Sequence, residues 1–576
     1  MDEKPWLKYY DPPVPPTLAP YPDLPLHHFL EESARKYPDQ TCTIFHPHTS
    51  PSGAKITYRQ MNDRADQLAA GLASLGVKKG QTVGIMMPNI PQFIMAYYAI
   101  LKAGGVVVAI NPTYTPRELE KPLNDAGIEL VLVMSRFYDV LNQARPNSRI
   151  KTVVVTNIKE ALPPLTRVLF TLTKEKKGGD RVERLQPGDL WLNDLLARFT
   201  PSDRPKLEIT GGDRALFQYS GGTTGEPKAA VALHRNLVAN ILQIKAWLHD
   251  CKEGGETSLV AMPLFHVYAM VAGMGLAVAA AGRMVLVPNP RDLDDLFASI
   301  NRYQPTLFPG VPRLYNSINN HPDVLAGKVR LGSIRACISG SAPLLLEIKT
   351  KFEKLSGGKL FEGYGMSETP TATHCNPFYG KNKEGSIGLP LPDVEAKVIS
   401  LDDGLTPLGP NEVGELVIRG PQVMWGYHND PTGTANVLRD LGDGGGKWLF
   451  TGDIVRMDED GYFYIVDRKK ELIKAGGFQV WPRDVEEVVA ANPKVLEVGV
   501  AGIPHPQYGE TVKAWVVLKP GETATAEEIK AWCKDKLVDY KIPREIEFRP
   551  ELPKTQIGKI LRRELVRQHK EQAVVR

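Results

Sequence analysis

Cysteine is scarce in this 576-residue chain, and the five present (Cys42, Cys251, Cys337, Cys375 and Cys533) lack C-x-x-C spacing. That pattern argues against a disulfide framework or a zinc site and for a reducing compartment. Charge of one sign is also scarce: the formal net charge is +4, with no long basic run and no RNP-like aromatic string. Nucleic-acid binding is therefore not expected. The start, MDEKPWLKYYDPPVPP, lacks the apolar core of a signal peptide, and the final AVVR is no peroxisomal or ER tripeptide. Residues 257–282 contain no Asp, Glu, Lys or Arg, long enough to span a bilayer. Pro263 and His266 interrupt them and the second half is Ala/Gly-rich, so a buried helix is expected and no transmembrane segment.

What the chain does contain is YSGGTTGEPKAA at residues 219–230. Glycines let backbone N–H groups approach an anion, and successive amides in such a turn form a nest for phosphate oxygens. Thr223 and Thr224 add hydroxyls and Lys228 a full positive charge. A Walker loop needs its lysine directly after the second glycine. Here Glu226 and Pro227 intervene, and Ala229 stands where Ser or Thr would bind magnesium. The loop reads as a grip on a polyphosphate of another kind, most plausibly the tail of ATP.

The length calls for two to four domains. Tyr58, Met61, Ala65, Leu68, Leu72 and Leu75 recur at helical spacing, and Gly76 closes that helix. A strand over 82–87, a helix over 91–102 and a strand over 106–110 follow. This βαβ rhythm, repeated near Val153, Arg283 and Ile334, implies a parallel sheet covered by helices. Between 162 and 199 it lapses into a basic, Leu-rich stretch, LPPLTRVLFTLTKEKKGGDR. That stretch is either a peripheral insertion packed on the domain or an amphipathic element touching lipid or a partner. AKVIS and GELVIRG, between Asp/Gly/Pro turns, suggest a small β-subdomain. A compact α+β pattern follows Lys470, with strands near Leu496 and Val512, a capping box at Thr525/Glu528 and a strand over 545–548.

Further strings occur in order: PLFHVYA, SGSAPL, EGYGMSET, GSIGLPLP, GELVIRGP, PQVMWGYH, WLFTGDI, IVDRKKELIKAGGFQVWP and PKTQIGKILRR. With the phosphate loop, they resemble the adenylate-forming (AMP-binding) superfamily over essentially the whole chain. Within it they look most like acyl-CoA synthetases, particularly bacterial long-chain fatty-acid:CoA ligases. The resemblance implies an α/β fold: a large N-terminal domain of parallel-sheet α/β subdomains plus a small β-barrel-like subdomain, then a small mobile α+β C-terminal domain. The expected division is 1–466 for ATP and acyl binding, 467–470 as hinge and 471–576 as the mobile domain. The implied activity joins a carboxylic (fatty) acid to CoA at the expense of ATP. Acyl-AMP and pyrophosphate form first, and a thiol then displaces AMP.

Carried over by motif, Ser220, Gly221, Gly222, Thr223, Thr224, Gly225 and Lys228 would hold the pyrophosphate half of ATP, with Thr223 among the catalytic groups. Tyr364, between Gly363 and Gly365, would stack on adenine, with the Gly340, Ser341 and Ala342 backbone opposite. Ser367 would donate to the α-phosphate, and Glu368 would ligate Mg2+, a hard cation suited to carboxylate. Asp453 would accept the ribose hydroxyls and Arg468 would reach the ribose from the hinge. Lys559 would approach the reacting oxygens during adenylation. Lys474, with Gly476 and Gly477, would face the site in the thioester-forming state. His266 would border the acyl-carboxylate pocket, although a lone histidine is more often structural. Behind it, the small residues Ala269, Gly273, Gly275, Ala277 and 279–281 could leave room for a tunnel, or merely permit tight helix packing. Phe308–Tyr315 and Ile338 could form other walls.

Departures from the family pattern are Ala229, Ser341 and Ser367, and GGGKWLF in place of the usual Asp-Gly-Trp-Leu-His, which leaves chain length open. Rival readings are an aryl-CoA ligase for cinnamate-like acids, an acyl-AMP ligase loading a carrier protein, and a nucleotide-binding regulator without activity. The last sits poorly with intact Lys228, Glu368, Asp453 and Lys559. A cytoplasmic enzyme is expected, compatible with a homodimer and with weak peripheral membrane contact.

Overall fold

The computed structural model describes residues 4–47, 50, 52–219, 227–475, 478–505, 509–555 and 559–575. Continuous β-branched runs become strands buried on both faces of a parallel sheet. Across the eight-stranded sheet the order is Gly426–Tyr427, Ala229–Leu233, Arg214–Tyr219, Val106–Ala109, Thr82–Met86, Leu130–Met134, Thr152–Thr156 and Leu190–Trp191. Neighbours from Arg214–Tyr219 onward are parallel, and the first two strands run antiparallel. Strand Thr82–Met86 lies between the two that follow it in sequence, so the winding reverses there. Crevices at the carboxyl ends of strands beside such a reversal are where open α/β sheets bind ligands.

Helix Tyr58–Ser74 starts at a Thr57/Gln60 capping box, and Gly76 takes the left-handed turn beyond it at φ +94°. Helix Pro91–Lys102 is buried along its entire length. Even Lys102 is fully enclosed, held by Asn62 at 2.6 Å and Asp66 at 2.8 Å. A second sheet runs Thr257–Val260, Arg283–Leu286, Thr41–Phe45 and Ala54–Thr57, its last pair antiparallel. Leu307 bridges it to strands Ala336–Ser339 and Lys359–Tyr364.

Residues 257–282 correct the expectation of one buried helix. They hold strand Thr257–Val260 and then one buried helical run, π-helical over Ala269–Gly275 and α-helical over Leu276–Ala279, so the helix fills only the second half. Among the described residues, no helix is long and apolar enough to cross a membrane. A five-stranded antiparallel sheet follows, Glu395–Ile399, Val413–Arg419, Lys447–Met457 and Leu438–Asp440, with Phe463–Arg468 beside Lys447–Met457. In the C-terminal lobe, Val495–His505 pairs with Gly509–Leu518, flanked by Ile473–Ala475 and Glu545–Phe548. Helices Pro482–Ala490 and Ala526–Lys534 pack there around a separate apolar core.

Candidate functional site

Four parts of the chain converge on one cavity of about 1100 Å3. Asn111, Gln218 and Tyr219 come from the carboxyl ends of two central strands. The turn after Lys359–Tyr364 supplies Gly363 through Glu368, and the antiparallel sheet supplies Thr451, Gly452 and Asp453. Arg468, Lys470, Thr555 and Lys559 arrive from the hinge and the C-terminal lobe.

Local constraints place these groups. A Cβ on Gly365 would lie 1.3 Å from the Thr371 carbonyl oxygen, so only glycine lets the turn fold back beneath Tyr364. Asp453 and Arg468 are register partners on adjacent strands, which sets their side chains together. Arg468 Nε lies 3.0 Å from Asp453 Oδ1, and the Tyr364 hydroxyl donates to Asp453 Oδ2 at 2.6 Å. A nearly buried carboxylate is thus held on both oxygens, with further acceptor positions toward the cavity.

Glu368, also nearly buried, accepts from the Tyr427 hydroxyl at 2.8 Å, and burial raises its pKa. Among the described residues no lysine or arginine forms an ion pair with it. An acidic oxygen facing a cavity without a cation partner fits a magnesium ligand. Lys228 Nζ lies 2.6 Å from Asp430 Oδ2 and over the Tyr427 ring, 5.2 Å from its centroid. Lys559 is tied to Thr555: Thr555 N–H donates to the Lys559 carbonyl at 2.8 Å and Lys559 N–H to Thr555 Oγ1 at 3.1 Å. Desolvation, then the Arg468 charge, lowers its pKa to about 8. Burial lowers His266 to about 4, so its ring is neutral at pH 7, and among the described residues its Nδ1 has no hydrogen-bond partner.

Residues 30–428 match the AMP-binding enzyme family, and residues 484–559 match the AMP-binding enzyme C-terminal domain. The chain belongs to the AMP-binding enzymes. It is 41% identical to a long-chain-fatty-acid–CoA ligase of Bacillus subtilis (strain 168), over 99% of each chain. It is 33% identical to 4-coumarate–CoA ligase 2 of rice (Oryza sativa subsp. japonica), over 94% of this chain and 92% of the other. Among solved structures it resembles ATP-bound MatB from Rhodopseudomonas palustris, with TM-score 0.80 and 27% identity over 95% of this chain and 99% of that one. Against apo MatB, at the same coverage and identity, the TM-score is 0.70.

In this AMP-binding enzyme the cavity collects Lys228, His266, Gly340, Ser341, Gly363, Tyr364, Gly365, Ser367, Glu368, Asp453, Arg468 and Lys559. Ser341 holds a left-handed φ of +70° there. Ala342 is half-buried and not among the cavity's walls, and Lys474 is exposed and does not line the cavity. Ser220, Gly221, Gly222, Thr223, Thr224, Gly225, Gly476 and Gly477 lie outside the described residues. Of the two readings of the small residues, tunnel or tight packing, the tunnel is not seen: none of the named alanines and glycines lines the cavity. A Cβ on Gly275 would meet Ile241 Cδ1 at 2.6 Å, so smallness there serves helix contact. Of the other expected walls Ile338 is present, while 308–315 are not. The apolar end is instead built by Ile244, Trp247, Leu248, Val267, Ala272 and Leu391. Sequence reading also missed Tyr427 and Asp430; PQVMWGYH was the one signal that could have pointed to the tyrosine.

Proposed function

We propose that this chain is an ATP-dependent, AMP-forming acyl-CoA synthetase acting on fatty acids, with long chains the favoured class. The observation carrying this reading is that Lys559, Asp453, Arg468 and Glu368 share one cavity with an apolar end of aliphatic and indole side chains. A carboxylate is a poor acyl donor because its leaving group would be oxide. Attack on the α-phosphorus of ATP gives acyl-AMP and pyrophosphate, and a thiol then displaces AMP. In-line transfer of this kind depends mostly on positioning and charge neutralisation.

In this reading Tyr364 faces adenine, Asp453 accepts the ribose hydroxyls and Ser367 donates to the α-phosphate. Arg468 steers Asp453 and contributes positive charge. Lys559 neutralises charge as the carboxylate and α-phosphate oxygens meet. Lys228 exchanges Asp430 for the pyrophosphate half, since a polyphosphate offers more negative charge than one carboxylate. His266, with a neutral ring, borders the acyl carboxylate. Glu368 would hold Mg2+, which would offset phosphate charge when bound.

Residues 1–466 serve as the ATP- and acyl-binding body, 467–470 as hinge and 471–576 as a lobe that turns between half-reactions. The present orientation, with Lys559 inside, corresponds to adenylation. The higher TM-score against ATP-bound than apo MatB supports that assignment.

The test is AMP release that needs both ATP and CoA, measured over saturated acids of increasing length and over benzoate- and cinnamate-like acids. Long aliphatic acids should give the highest kcat/KM. A maximum on aromatic acids would replace the fatty-acyl reading with the aryl one. Absence of pyrophosphate release with every acid would leave a nucleotide-binding regulator. Release of pyrophosphate without CoA turnover would favour a carrier-protein acceptor.

A further inference from the structure

The helix Pro164–Thr173 is amphipathic the wrong way round for a protein packed only against itself. Its Thr166 is buried, with Oγ1 3.3 Å from Ser52 Oγ, and Phe170 packs on the main core. Leu165, Val168, Leu169 and Leu172 instead point outward, 73%, 56%, 45% and 77% exposed. Their spacing is i, i+3, i+4, i+7, so they form one continuous apolar face. Exposed apolar side chains elsewhere are single, like Leu207, Leu325 and Leu405, or paired, like Leu345 with Leu346 and Phe478 with Tyr540. The Thr171 and Thr173 hydroxyls fold back onto the Arg167 and Leu169 carbonyls, at 2.9 and 2.6 Å, which removes competing polarity.

Charge at the end of this helix is sorted in the same sense. The acids Glu175 and Asp180 are turned inward, paired with Lys159 at 2.7 Å and Arg136 at 2.6 Å. Lys174, Lys176 and Lys177 are left exposed, and none has an ion-pair partner among the described residues. An aliphatic face beside uncompensated lysines is complementary to a surface that is apolar beneath and anionic on top. Ten residues rise only about 15 Å, too short to span a bilayer, so the helix would lie in the interface plane.

We propose that the helix Pro164–Thr173 docks the enzyme onto an anionic lipid surface. The docking stands on this geometry alone. Its use, to meet an acid that partitions into lipid, rests on the fatty-acyl reading above.

Flotation of the full chain with phosphatidylcholine vesicles, with and without phosphatidylglycerol, tests it. The chain should float with the anionic vesicles and be released by high salt. L165Q/L172Q should lower partitioning roughly tenfold or more, at an unchanged melting temperature because both leucines are exposed. K174E/K176E/K177E should abolish the phosphatidylglycerol dependence. No flotation, or variants floating like the parent, overturns the proposal. So does a dimer that L165Q/L172Q dissociates while flotation is unaffected, since the face would then join two copies. If turnover of fatty acids fails while flotation and its loss are seen, the docking stands and the catalytic reading falls.

Discussion

Two lysines of the C-terminal lobe differ only in where the lobe puts them. Lys559 stands inside the cavity near Arg468, with its pKa lowered to about 8 by desolvation. Lys474 lies on strand Ile473–Ala475, where alternation buries Ile473 and turns Lys474 to solvent, its backbone N–H donating to Glu510 Oε2 at 2.8 Å. In this orientation the lobe turns Lys559, and not Lys474, into the cavity. Asp453 and Tyr364 belong instead to the body and line the same cavity. On the proposed turning-lobe reading, the difference separates groups that serve one half-reaction from groups that serve both.

Lys559→Ala should break that comparison most visibly. Acyl-AMP formation should fall roughly 100- to 1000-fold, the scale for one partner of transition-state charge. Conversion of supplied acyl-AMP to acyl-CoA should survive, and Lys474→Ala should show the reverse. Pyrophosphate release and single-turnover thioester formation measure the two steps separately. Equal loss of both steps in both variants would sink the turning-lobe reading.

Asp453→Asn should affect both half-reactions alike. It removes the charged acceptor and leaves Arg468 without its 3.0 Å counter-ion. A charged hydrogen bond is worth about 1.5–3 kcal/mol, so kcat/KM for ATP should drop roughly 10- to 100-fold. Loss confined to adenylation would place Asp453 with Lys559 rather than with the nucleotide.

A smaller and graded effect comes from pH. A lysine is a cation below its pKa, so Lys559 loses charge as pH rises through about 8 in the free enzyme. Adenylation kcat/KM should be about tenfold lower at pH 9 than at pH 7, with the thioester step showing no such limb. Lys559→Arg stays charged throughout and should flatten the profile, whatever its absolute rate. A limb that persists in Lys559→Arg belongs to another group.

Elements with strong local signals were legible from sequence. Helix Tyr58–Ser74 carried its own cap and terminating glycine, helix Pro91–Lys102 began on a proline, and strand Glu545–Phe548 was a clear short run. Residues 257–282 were not, because an uncharged apolar run reads alike as buried strand or buried helix. The site splits in the same way. Glycines beside Tyr364 marked a backbone that must pass closely, and Gly365 does so against Thr371. Tyr427 on Glu368, 59 positions away, and Asp430 on Lys228 are side-chain pairings made only by the tertiary fold. Small residues near His266 left two readings open because helix contact and cavity lining ask for the same side chains, and only packing separates them.

The hinge offers the finest test of the two-lysine comparison. Lys469 Nζ lies 2.7 Å from Glu415 Oε2, tying the start of the lobe to the antiparallel sheet while Lys559 is inside. Glu415 is buried and also accepts from the Gly452 backbone N–H at 3.1 Å, so its position persists without the lysine. Lys469 is half-exposed, which limits the pair to about 1 kcal/mol or less. Lys469→Ala should therefore lower adenylation only about two- to fivefold, because the orientation carrying Lys559 loses one contact. Thioester formation should hold steady or rise, since the competing orientation gains population. Parallel measurement of the two half-reactions decides between a tie that biases the lobe and one that merely stiffens the site. Bias moves the two rates apart, whereas stiffening would lower both together.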